Sequence, residues 1–206
     1  LTCIAGLIGK DKIYIGGDSA VGNGNGQFKS RNPKVYKRGE FIFGLAGYVG
    51  VLHALTHVMN MPPCYEKQDP MEYMINVFIP SFRNAVRELG MLEIEDGIER
   101  SRSELLIGFR GHLFCVGTDF SIIESVDNHM AIGTGSHYAL GSLYTSEGSE
   151  SNPLHRVTMA LESASEYCDN VCGPFEIESI EIGFIDLVDV DKIIQTANEK
   201  MKEEEE

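Results

Sequence analysis

Thr2, Asp18 and Lys34 follow one another at intervals of sixteen residues, and together they can do chemistry that none does alone. A threonine hydroxyl is a poor nucleophile at neutral pH and needs a base beside it. A chain-terminal threonine carries that base in its own α-amino group, whose unperturbed pKa is about 7.7–8.0. A fixed ammonium at Lys34 lowers the pKa of proton donors near it, and Asp18 pairs with the lysine and keeps it oriented. Without Thr2, the aspartate and lysine read as an ordinary surface salt bridge. Leu1 sets the condition, because while it is attached the Thr2 nitrogen is a peptide amide without a basic lone pair.

For these three to meet, the chain must return to one place repeatedly. Residues 3–7 and 13–17 are short β-prone runs around the turn-like Gly9-Lys10-Asp11-Lys12, which predicts an opening hairpin with Thr2 at a strand end. A polar, glycine-dense stretch, 22–32, follows, in which 22–26 reads as a mobile loop, and residues 34–37 and 41–45 form a second predicted hairpin across Arg38-Gly39-Glu40. Apolar residues at three- and four-residue intervals predict helices over 49–59 and 71–89, separated by the breaker Pro62-Pro63. An acidic connector, 93–102, leads into a strand pair at 104–109 and 112–116. Further strands are expected at 121–126 and 130–132, helices at 138–145 and 153–167, and closing β structure at 175–185. Such grouping predicts an α+β domain in which two antiparallel sheets pack face to face and a helix pair covers each outer face.

The 206 residues are 43% hydrophobic and 23% charged, enough for one sizeable core, and the length favours a single domain. That domain is expected over residues 1–198, with 199–206 as an acidic, solvated tail. A formal net charge of −14 repels nucleic acid and anionic membrane surfaces, so neither is an expected partner. No apolar run approaches the roughly 20 residues that span a bilayer, and the first residues lack the pattern of a signal peptide. A cytoplasmic protein is expected. Five cysteines, an odd number without CxxC spacing, suit free thiols in a reducing compartment, and zinc is not expected.

Several segments in order then carry a resemblance: Thr2 opening a strand, Ile15-Gly16-Gly17-Asp18-Ser19, Pro33-Lys34-Val35, Gly44-Leu45-Ala46-Gly47, and Ala131-Ile132-Gly133-Thr134-Gly135-Ser136 before a helix. Together they resemble the proteasome β-subunits and the related bacterial proteasome-like proteases, members of the N-terminal-nucleophile (Ntn) hydrolases, over most of the chain. The resemblance implies a four-layer αββα sandwich. It also implies that Thr2 is nucleophile and base, that Asp18 and Lys34 tune the electrostatics, and that the Gly47 amide faces the developing oxyanion. Thr134 matches a family serine near the nucleophile's amine, where a hydroxyl still donates and accepts hydrogen bonds. Asp169-Asn170-Val171-Cys172-Gly173 resembles a stretch in which an aspartate and a serine buttress that amine. Cys172 stands in the serine's place with a weaker hydrogen-bonding group. As local structure, Thr134 reads as a cap or turn residue and 169–173 as a helix C-terminus before Gly173-Pro174.

The implied activity is that of a threonine endopeptidase acting through an acyl-enzyme, conditional on removal of Leu1. Family members free their threonine by propeptide self-cleavage or by loss of an initiator methionine. Leu1 is expected to occupy the initiator position, through a non-standard start codon or substitution. Leu45 falls at the family position lining the first specificity pocket, with Val21 and Val49 as neighbours, which predicts a weak preference for cleavage after apolar residues. Backbone groups around Val21 and Gly22 are expected to pair with an extended peptide in β fashion. The resemblance further implies peptide or unfolded-protein substrates, a homo-oligomeric ring, a separate ATPase and no cofactor. Two alternatives differ in class: a non-catalytic structural subunit that never frees Thr2, and an Ntn amidase acting on a small amide. Gly22-Asn23-Gly24-Asn25-Gly26 lacks the lysine and hydroxyl of a phosphate loop. His53 and His57 lack a third metal ligand, and Met59, Met61, Met71, Met74 and Met91 read as core or subunit-contact packing.

Overall fold

The structure, a computed structural model, describes residues 2–22, 27–65 and 68–182. The expectations for Leu1, for β structure beyond 182 and for the boundary and tail at 198–206 lie outside the described residues. Strands β1 (Ile4–Ile8) and β2 (Lys12–Gly17) pair antiparallel, with Ile4 opposite Gly17. Strand β12 (His129–Ile132) joins the free edge of β1, and β13 (Glu176–Glu181) joins β2, giving the order β12-β1-β2-β13. A second antiparallel sheet is built from β5 (Val35–Arg38), β6 (Phe41–Ala46), β9 (Glu104–Phe109), β10 (His112–Val116) and β11 (Ile122–Glu124), in the order β11-β10-β9-β6-β5.

Strand alternation sorts the side chains of the first residues. Ile4 is fully buried among Ile13, Ile15, Ile42, Leu106 and Leu113, a cluster drawn from both sheets. Cys3, Ala5 and Leu7 point the other way, into a cluster with α4 (Ser136–Ser146) and α5 (Pro153–Tyr167). Helix α5 begins where Asn152 accepts the backbone N–H groups of Leu154 and His155, with Pro153 in the first turn. The outer side of the second sheet packs its Phe41, Phe43 and Phe109 against the helical segment that starts at α1 (Val49–His53) and the one that ends at α3 (Ile79–Glu88). Met59 and Met74 are buried in that cluster, and Met61, Met71 and Met91 pack against it.

Three local departures from the sequence reading have physical causes. The helix expected over 71–89 is resolved as α2 (Pro70–Tyr73), a π-helical turn (Met74–Phe78) and α3, because Pro80 lacks an N–H and its ring disturbs the turn before it. The polar, glycine-dense stretch 22–32 contributes β4 (Gln27–Lys29), which pairs with β3 (Ala20–Gly22), while most of the stretch read as a mobile loop, 22–26, lies outside the described residues. The acidic connector holds a hairpin, β7 (Glu93–Glu95) and β8 (Ile98–Arg100), whose turn residues Asp96 and Gly97 both have positive φ, 52° and 79°. No helix among the described residues is long and apolar enough to cross a membrane.

The contact between the sheets makes one stability prediction. Leu106 is fully buried there, so Leu106→Ala is expected to lower unfolding stability by about 2–5 kcal/mol, measured by urea titration. A change below about 1 kcal/mol would contradict the assigned burial.

Candidate active site

The two sheets end together, and their ladder ends deliver the chemically interesting residues to one spot. Thr2 lies two residues before β1 and Asp18 follows β2, where the Asp18 N–H donates to the Cys3 carbonyl at 3.2 Å. Lys34 immediately precedes β5 in the other sheet, tied to the end of β6 by the Leu45 N–H donating to its carbonyl at 3.0 Å. Thr134 follows β12, and the Gly135 N–H donates to the Thr2 carbonyl at 3.2 Å. Thr2 has the same strand parity as Ile4, so its side chain faces the second sheet and therefore Lys34.

Lys34 Nζ donates to Thr2 Oγ1 and to Asp18 Oδ1, each at 2.8 Å. The Asp18 carboxylate is fully buried and also accepts the Cys3 N–H at 2.9 Å and the Ala20 N–H at 2.8 Å. These charge-assisted bonds hold it in one orientation. Burial pushes the Lys34 ammonium below the ordinary lysine value, and the neighbouring Asp18 carboxylate opposes that shift. Cys3, next to the candidate nucleophile, is a poor competitor because burial, with Asp18 nearby, raises its thiol to about 12. The Thr2 nitrogen donates to Thr134 Oγ1 at 3.2 Å, and that hydroxyl donates to the Thr2 carbonyl at 3.2 Å.

Gly47 stands just past β6 with φ at +143°, and a Cβ there would lie 2.4 Å from Ser103 Oγ. Glycine is required by both conformation and space. Along β6 the Leu45 N–H points toward the β5 side, so two residues on, the Gly47 N–H is the next donor on that edge, past the end of β5. A cavity of about 500 Å³ opens there, lined by Thr2, Lys34 and Gly47. Val21, Gly22, Leu45 and Val49, the expected substrate-binding residues, line the same cavity.

Asp169 and Cys172 are placed differently from each other. The half-buried Cys172 lies within electrostatic reach of Lys34, and its carbonyl accepts the Ser19 N–H at 3.0 Å and the Ser19 hydroxyl at 3.2 Å. Asp169 is exposed and makes no hydrogen bond to Thr2 or Thr134 among the described residues. Instead the Cys168 thiol approaches the Thr134 hydroxyl at 3.9 Å. Sequence reasoning passed over Ser103 and Glu104. The Ser103 hydroxyl accepts the Tyr48 N–H at 3.0 Å, and Glu104 Oε2 accepts the Gly133 N–H at 3.2 Å. A serine before a predicted strand carries no signal of such contacts.

Several known proteins are similar to this chain. The ATP-dependent protease subunit HslV of Campylobacter lari is 26% identical over 171 residues, covering 81% of this chain and 89% of the relative. The chain is thus similar to HslV at low identity over most of both chains. The Thiobacillus denitrificans BPH structure matches with a TM-score of 0.74 at 21% identity, covering 88% of this chain and 98% of that one. BPH in complex with epoxomicin matches with the same TM-score of 0.74, at 19% identity, covering 88% and 100%. The eukaryotic HslV of Trypanosoma brucei matches with a TM-score of 0.63 at 17% identity, covering 87% and 99%. These likenesses show that the chain shares the α+β fold of those structures. No family model matches the chain.

The opposing influences on Lys34 can be measured. In protein labelled at its lysine side chains, Lys34 is expected to titrate below the ordinary lysine value of about 10.4. In Asp18→Asn it should titrate lower still, because the carboxylate that supports the charge is gone. A midpoint that stays put or rises in the variant would contradict the assigned ion pair.

Proposed function

We propose that the protein is a threonine endopeptidase in which Thr2, once terminal, is both nucleophile and base. The observation that carries this is the Lys34 ammonium bridging Thr2 Oγ1 and Asp18 Oδ1 at 2.8 Å on each side. An ammonium there favours the alkoxide-like oxygen of the attacking threonine, and Asp18 fixes its direction. The free amine takes the hydroxyl proton as Oγ1 adds to the scissile carbonyl. It returns that proton to the departing amine of the substrate, leaving an ester on Thr2. Water then attacks the ester with the same amine as base, releasing the acid and restoring the hydroxyl. Thr134 keeps the amine oriented, the Gly47 N–H receives the oxyanion, and Cys172 takes the place of the serine that buttresses the amine. Asp169 acts in this scheme only if freeing Thr2 brings it closer.

Extended peptide substrates add to the edge formed by Val21 and Gly22, and the buried Leu45 with Val49 favours apolar side chains in the first pocket. The finer architecture is the four-layer αββα sandwich, supported by buried clusters between the sheets and on the helix-bearing side of each. The single domain spans residues 1–198. A homo-oligomeric ring working with a separate ATPase is supported by the relative from Campylobacter lari being a subunit of an ATP-dependent protease. Cytoplasmic location is supported by five free thiols. Net charge argues against nucleic-acid and membrane partners.

Turnover tests the proposal. Protein shown by intact mass to begin at Thr2 is expected to cleave fluorogenic peptides after apolar residues, and Thr2→Ala to abolish this. The kcat/KM profile should rise with pH as the amine loses its proton and fall again as Lys34 deprotonates, below its ordinary value. An inert wild-type chain beginning at Thr2 would favour a structural subunit, and cleavage of small amides alone would favour an amidase.

A further inference from the structure

Gly47 is useful as an oxyanion donor only if its peptide plane holds still, and its own side chain cannot do that. The plane on the far side of Gly47 ends in the Tyr48 N–H, so fixing that N–H fixes one of the two peptide planes that meet at Gly47, whose φ is +143°. The Tyr48 N–H points toward β9. The residue waiting there is Ser103, one before β9, and its hydroxyl accepts the Tyr48 N–H at 3.0 Å. Ser103 is 1% exposed, so no bulk water substitutes for that acceptor.

The segment carrying Ser103 is itself fixed. Ser101, also 1% exposed, donates its hydroxyl to the Ser103 carbonyl at 2.9 Å and accepts the Ser103 N–H at 3.3 Å. Between them Arg102 takes a left-handed φ of 54°, uncommon for a residue with a side chain. That conformation brings the Arg102 carbonyl and the Ser103 Cα each to 2.7 Å from where a Cβ of Gly47 would lie. Outside, the Arg102 guanidinium donates to the Tyr48 hydroxyl at 3.1 Å and sits over the Tyr48 ring. The same short segment therefore grips the Gly47-Tyr48 backbone from within and the Tyr48 side chain from without.

We propose that Ser103 is a positioning residue for the oxyanion donor: by capping the Tyr48 N–H it aims the Gly47 N–H at the substrate carbonyl. Ser103 does not touch substrate. The inference rests on the peptidase reading, and its effect falls on the transition state rather than on substrate binding.

The test compares wild type, Ser103→Ala and Ser103→Cys, all beginning at Thr2, for kcat, KM and affinity for a peptide boronate whose tetrahedral adduct carries oxygens where the oxyanion forms. The cysteine fills the space with a weaker acceptor, so it separates lost hydrogen bonding from lost packing. The alanine variant is expected to lose roughly 10- to 100-fold in kcat and a similar factor in boronate affinity, with KM within about twofold. The cysteine variant should lose comparably despite its volume. Unchanged kcat and boronate affinity, or a loss confined to KM, would overturn the proposal while leaving the peptidase reading intact. A wild-type chain that neither cleaves peptide nor binds boronate would overturn both.

Discussion

The Asp18–Lys34 pair is the constraint on which the site depends. Asp18 belongs to the end of one sheet and Lys34 to the edge of the other, and a 2.8 Å contact joins them. A fully buried carboxylate is tolerable only when its oxygens are satisfied, and here two backbone N–H groups and the ammonium satisfy them. Removing either partner would leave a desolvated charge, a change that typically destabilises by about 3–5 kcal/mol. The lysine is in turn partly desolvated, which depresses its pKa, and it donates a second hydrogen to Thr2 Oγ1. One ion pair thus joins the sheets, orients a cation and polarises a hydroxyl.

Much of this was legible from residue order because the functional groups sit at hairpin ends. Two short β-prone runs flanking a tight turn necessarily bring the residue before the first strand near the residue after the second, which places Thr2 and Cys3 beside Asp18. The same logic brings Lys34 to Leu45 across the second hairpin. Helix positions followed from apolar spacing, with α5 found at 153–167 as expected. What periodicity could not register was Pro80, a single residue whose effect is felt in the preceding turn.

Other features were hidden for specific reasons. The β7–β8 hairpin has a genuine Asp96-Gly97 turn signal, but each strand is three residues with a single isoleucine, Ile94 or Ile98, too short for alternation to mark it. Strands β3 and β4 are three residues each beside a glycine-dense stretch that argues for a loop. Ser103 meets Gly47 across 56 positions of chain (103 minus 47), and nothing local in either residue announces the contact. Asp169 shows the reverse failure: motif similarity suggested a place beside the Thr2 amine, while the chain after α5 leaves it exposed. Contacts set by two sheets closing together are a tertiary property, and a one-dimensional pattern contains them only when hairpin geometry enforces them.

The central claim is that the hydroxyl and the amine of one terminal residue act together beside Lys34. An epoxyketone peptide tests it directly, since its ketone takes up the hydroxyl and its epoxide takes up a free amine, closing a ring only when both belong to the same residue. A crystal structure of that adduct is predicted to show a ring joining Thr2 Oγ1 and the Thr2 nitrogen, with the ketone-derived oxygen facing the Gly47 N–H. An adduct on another residue, or attachment through oxygen alone in a chain that begins at Thr2, would contradict the account.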